Sequence, residues 1–281
     1  MNVQVGDSDL KRLFRYNRAV PSAEIYARIE EIERPWIGGL VAELESTTDP
    51  VSSRSEWVAR LDDLLAVESL GSDSSRFLAD QATYEQFRHY VREFAADGLT
   101  EAQNFFPAVA RVPIKAQMAV MRVLIDEFGC GNLRQAHSYL YLRLLDELDL
   151  PTDLDTIVEG TADETFAFLN VFYWLTSRAP HIEYFLGALA YLEASIPSAF
   201  SYLATACERL NIENGKYYTE HMHIDNFHMK EMQTAIREYE VERGLDATRV
   251  WIGAQLLSRL LGTAVDSVVD RARRFDGVAT G

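Results

Sequence analysis

Three side chains with metal-ligand chemistry, His221, Asp225 and His228, fall in the segment Tyr218-Thr-Glu-His-Met-His-Ile-Asp-Asn-Phe-His, separated by four and then three residues. At about 100° per residue a helix brings them within roughly 60° of one another on one face. Two imidazoles and a carboxylate pointing the same way suit divalent iron, and the lack of a thiolate disfavours structural zinc. Three of the six histidines of the chain lie between positions 221 and 228, a density that a solvated helix does not require. The plain alternative is that these polar residues face water. His223 points to the opposite side of the helix, and Glu220 and Glu231 read as solvated.

A second cluster lies upstream. Glu127 and His137 flank Gly129 and Gly131; on an unbroken helix they are about 80° apart, and the glycines permit local unwinding that aims both inward. Glu101 sits between Leu99 and Phe105-Phe106, and Glu193 sits inside Phe185-Leu-Gly-Ala-Leu-Ala-Tyr-Leu-Glu-Ala-Ser-Ile-Pro. An acid in such surroundings is costly unless it is paired or metal-bound. Each of these signals is weak alone; they gain weight as a set of four acids and three histidines. A ferritin-like site needs two Glu-x-x-His motifs on separate helices. Only Glu220-x-x-His223 fits that pattern, and it turns away from the better triad.

The elements that must position these residues are helical. The spacing predicts helices over 22–46, opened by Ser22 and kinked or split at Pro35, over 56–67, and over 75–95 with Ser75 as N-cap. Thr100 is expected to cap a short helix carrying Glu101. Further helices are expected over 114–127, 132–148, 162–177, 180–194, 197–210, 215–243 and 248–275, the penultimate one ended by Gly244. No window alternates as a strand does, so the fold class is all-α. Residues 1–74 read as an N-terminal helical extension and 75–281 as the main unit, in one compact body. The chain of 281 residues is 48% hydrophobic and carries 43 acidic against 27 basic residues, a net charge of −16. That balance excludes nucleic acid and anionic membranes as partners but not a small anionic substrate. Cys130 and Cys207 fit no metal or redox spacing, and neither a signal peptide nor a membrane span is legible, so a cytoplasmic protein is expected.

Taken together, Glu101, Glu127, His137, Glu193, His221, Asp225 and His228 resemble the ligand set of the heme-oxygenase-like diiron oxidases and oxygenases. The H-x-x-x-D-x-x-H helix and the segment Asp126-Glu-Phe-Gly-Cys-Gly-Asn-Leu-Arg-Gln-Ala-His137 carry the likeness, which covers about residues 75 to 275. The resemblance implies a bundle of about seven core helices holding two irons, with O2 as cosubstrate. It is strongest to the N-oxygenase branch, whose additional carboxylate is Glu127, here also the residue assigned a catalytic part. It further implies that Glu101, His137 and His228 serve one iron and Glu193, His221 and Asp225 the other. The expected reaction converts an amine, either an amino-acid side chain or a small amino-heterocycle, to a hydroxylamine, nitroso or nitro product in specialised metabolism, with an external electron donor. Oxidative C–C cleavage or desaturation of an amino or fatty acid is the alternative. A metal-free thiaminase-like enzyme and an iron-binding protein without activity are further readings, and a homodimer is one state that the resemblance allows. For the pocket wall the sequence offers Tyr139, Phe168, Phe172 and Trp174, and for a substrate carboxylate Arg122, Arg134 or Arg178.

Overall fold

The structure is a computed structural model and describes residues 6–274. Fourteen α-helices and no strand occur among the described residues. In chain order they are α1 (Asp9–Asn17), α2 (Ala23–Thr47), α3 (Arg54–Glu68), α4 (Asp73–Asp80), α5 (Tyr84–Glu93), α6 (Ala95–Thr100), α7 (Phe106–Val109), α8 (Ile114–Glu127), α9 (His137–Glu147), α10 (Leu154–Gly160), α11 (Asp163–Ser177), α12 (Glu183–Leu210), α13 (Lys216–Arg243) and α14 (Ala247–Arg273). Among the described residues no helix is long and apolar enough to cross a membrane.

Side-chain caps set many helix starts. Ser8, Ser22, Ser53, Ser72, Thr83, Asp153 and Asp246 each accept from a backbone N–H of the first turn, satisfying donors that the helix itself cannot. Ser72, not Ser75, opens α4, and Thr83 restarts the chain with a capping box, so the helix expected over 75–95 is split into α4 and α5, with α6 beginning at Ala95. The helix carrying Glu101 is also different from expectation. Thr100 ends α6, and Glu101 stands just beyond it in an extended backbone conformation. Conversely, α12 runs unbroken through Pro197, where two helices were expected. Pro197 cannot donate to the carbonyl of Glu193 four residues earlier; packing of α12 against α13 and α14 along its length holds the two halves in line. Pro35 likewise leaves α2 continuous. The end of the last expected helix, at Phe275, lies outside the described residues.

The long helices α12, α13 and α14 form the frame, with α8 on α13 and α11 on α14. The seam between α12 and α14 is unusually close. A Cβ on Gly187 would overlap the carbonyl of Val250, and one on Gly253 would overlap that of Tyr184, so only glycine lets these backbones touch. Phe14, Ile37, Trp57 and Leu61 from the first three helices join the same buried cluster as Phe166, Phe185 and Leu257.

Candidate metal centre

The last residue of α8 is Glu127 and the first of α9 is His137. Between them Gly129, Cys130 and Gly131 all take positive φ, at 61°, 52° and 82°. A Cβ on Gly129 would lie 2.5 Å from the backbone nitrogen of Ala136, so this turn folds back on itself more tightly than a side chain permits. The unwinding that the sequence pattern suggested thereby directs both side chains inward. On α13 the buried stripe includes Tyr217, Tyr218, His221, Asp225, His228 and Met232, the i, i+4, i+7 face. His223 is exposed on the other side. Glu220 and Glu231 meet Lys216 and Arg122 in ion pairs at the surface.

All seven residues converge in two groups. Glu101, Glu127, His137 and His221 present ligand atoms within 4.8 Å of one another, and so do Glu127, Glu193, Asp225 and His228. Glu127 belongs to both. His221 Nε2 lies 3.0 Å from Glu101 Oε1 and its ring is 4.0 Å from that of His137. His228 Nδ1 lies 3.1 Å from Glu193 and 3.2 Å from Asp225. This grouping differs from the pairing that the resemblance implied, because His221 and His228 exchange places. They are two turns apart on α13, and the earlier one faces Glu101 and α9 while the later one faces Glu193 on α12.

The polar accounting calls for a cation. Both carboxylate oxygens of the fully buried Asp225 lack an aligned hydrogen bond, as do Glu127 Oε2 and His137 Nδ1. Glu127 Oε2 and His137 Nδ1 are only 2.8 Å apart, yet both point past one another, as two ligands aimed at a third body do. Four acids at close quarters are costly without compensating positive charge. In the metal-free chain the imidazoles supply it: burial opposes charge on His221, but Glu101, Asp225 and Glu127 outweigh it and raise the ring to about 10. His228 is raised in the same way by Glu193 and Asp225, to about 11. Burial also opposes charge on Glu127, but the three histidines hold it below the usual carboxylate range. Burial raises Glu193. Oxygen and imidazole donors without thiolate are the set that iron accepts.

A family model for iron-containing redox enzymes matches residues 88–262, which contain all seven residues. The chain belongs to that family. It is therefore an oxidoreductase. The nitrosourea synthase of Streptomyces achromogenes subsp. streptozoticus is similar to it, 29% identical over 150 residues, a match that spans 50% of this chain and 30% of that protein.

Around the redox site of this enzyme the sequence reading missed several supports. The Tyr217 hydroxyl is 3.2 Å from both oxygens of Glu101, to which it donates. Its carbonyl accepts from His221 Nδ1 at 2.7 Å, which leaves Nε2 as the lone-pair nitrogen facing the cluster. Asp126 lies 3.6 Å from His228 Nε2, the nitrogen turned away from the cluster. A cavity of about 560 Å³ opens onto Glu101, Glu127, Glu193 and His221. Phe168 and Phe172 line it, but Tyr139 and Trp174 do not; Trp174 stacks instead on Tyr184. None of the three arginines reaches the cavity. Arg122 is exposed and paired with Glu231, Arg134 is exposed, and Arg178 clasps Glu33 at 2.7 Å. Helix-surface arginines find nearer acids than a substrate in a chain this acidic. Asp97, one turn before Glu101, faces the cavity as well.

Proposed function

We propose that this chain is a non-heme diiron oxygenase that uses O2 and an external electron donor to oxidise the nitrogen of a small amine, giving a hydroxylamine, nitroso or nitro product in specialised metabolism. The single observation that carries this reading is the pair of four-residue ligand groups meeting at Glu127. The residues fit two ferrous ions: four carboxylates balance four positive charges, leaving a neutral centre that can be buried. Glu101, His137 and His221 would hold one ion, Glu193, Asp225 and His228 the other, and Glu127 would serve both. Bound there, the ferrous pair would supply electrons that activate O2, and O2 is the oxidant. Similarity to a nitrosourea synthase, whose named product carries oxidised nitrogen, favours nitrogen as the atom attacked.

The chain's own contribution is position and dryness. Tyr217 steadies one carboxylate with its hydroxyl and one imidazole with its carbonyl. Asp126 stands where the outward nitrogen of His228 can lean on it. Phe105, Phe168, Phe172, Leu192 and Phe200 make the cavity wall apolar, which keeps water from competing with an amine for the reacting position.

Anaerobic titration with ferrous ion is the first test, with about two ions per chain expected. Mixing the loaded protein with labelled O2 and a panel of amines then reads the product by mass, with oxygen gained on nitrogen expected. One ion or none refutes the diiron reading, and a product that has lost carbon replaces N-oxygenation by oxidative cleavage.

A further inference from the structure

The cavity is rich in acids and, apart from the ligand His221, has no basic side chain in its described lining. Lysine and arginine are absent from its described lining, whereas acids recur from the inner end to the mouth. Glu101, Glu127 and Glu193 stand at the inner end. Asp97 is beside them, Glu68 is in the wall, and the exposed Asp266 is at the rim near Ser72. Glu68 is occupied, since it accepts from the hydroxyls of Tyr191 at 2.8 Å and Ser258 at 2.7 Å. Asp266 accepts from Ser74 at 2.6 Å. Asp97 has neither a hydrogen bond nor an ion pair with any described residue, and it belongs to neither ligand group.

With two divalent ions in place, the four ligand carboxylates are balanced, and Asp97 is left as the acid at the inner end of the chamber that no guanidinium or ammonium of the lining accompanies. Burial and the nearby Glu101 and Glu127 make its charge costly in the empty chain. A bound cation removes that cost. A substrate carboxylate would add to it, for the lining offers no guanidinium or ammonium to receive one. We infer that the substrate is a cationic aliphatic amine or guanidine without a free carboxylate, whose positive group pairs with Asp97 at the inner end of the cavity. This rests on the diiron reading for its charge balance, and it makes Asp97 the specificity-determining residue of the chamber.

Two matched pairs of probes decide it: agmatine against arginine, and cadaverine against lysine, titrated calorimetrically into the ferrous-loaded chain without O2. Each decarboxylated partner should bind at least tenfold tighter than its amino acid. D97N should weaken agmatine or cadaverine tenfold or more, and D97E should restore part of the loss, with the iron content of both variants equal to that of the parent. Amino acids that bind as tightly as the amines overturn the inference, as does D97N binding amines like the parent, or failure of all four probes to bind. Iron content is read before any amine is added, so a chain that takes up no iron defeats the diiron reading and this inference with it, whereas a loaded chain that shows no preference for the amines overturns the inference alone.

Discussion

Loading the metal-free protein with a divalent cation should expel protons, and their number follows from two rings. His221 is raised to about 10 and His228 to about 11, because Glu101 and Glu193 respectively, helped by Asp225 and Glu127, outweigh the opposing effect of burial. At about pH 7.5 both rings therefore carry a proton, whereas an imidazole nitrogen binds metal only through a free lone pair. Two protons must leave per chain, and Glu193, which burial raises, adds a fraction of a third. Each displaced proton makes apparent affinity climb about tenfold per pH unit, so with one ring in each group the constant for each ion climbs about tenfold and the product of the two constants roughly 100-fold per unit between about pH 7.5 and 9. That equals about 2.7 kcal/mol per unit. Zinc is a suitable redox-silent probe. Calorimetry in two buffers of different protonation enthalpy counts the protons, and repetition across pH gives the slope. His228→Ala should release about one proton fewer. A slope of tenfold per unit or less in the product of the two constants, or release of less than one proton in all, refutes the assignment of His221 and His228 as buried ligands.

The same groups govern the metal-free fold. Rings raised above their ordinary value near 6.5 contribute stability that is fully present below that value and lost as pH climbs through 10 and 11. The melting temperature of the metal-free chain should accordingly fall between about pH 8 and 11, followed by circular dichroism. Glu127→Ala should lower bound iron at both positions together, measured by elemental analysis, because Glu127 belongs to both groups; loss from one position only contradicts a shared role. Gly129→Ala forces a side chain onto positive φ and against Ala136, a cost on the order of 1–3 kcal/mol. It should lower the melting temperature and iron content in parallel. Gly187→Ala drives a methyl into the Val250 carbonyl and should destabilise the fold by about 1–3 kcal/mol through overpacking, read by denaturant titration.

The ligand triad was legible because all three of its members share one regular helix, where spacing alone fixes direction. The turn from Glu127 to His137 was legible through its glycines. Glu101 was found by its apolar neighbours, though not its setting, since it follows a helix instead of riding on one. Asp97 left a fainter mark: one turn before Glu101, within Phe94-Ala-Ala-Asp-Gly, it reads as a loop breaker, and only the packing of α6 reveals that it faces the chamber. Tyr217 carries a similar trace, four residues ahead of His221. The wall was the least readable. Phe172 and Trp174 both belong to α11, and which of two aromatic rings meets a void depends on helices far away in the chain. The assignment of ligands to groups was likewise beyond spacing, because it depends on where α9 and α12 pass α13.

The end of α3 and its link to α4 contribute Val67, Ser69, Gly71 and Ser72 to the lining of the chamber. These precede the stretch that the family model recognises. Part of the chamber is thus walled by a length of chain that carries none of the seven ligands.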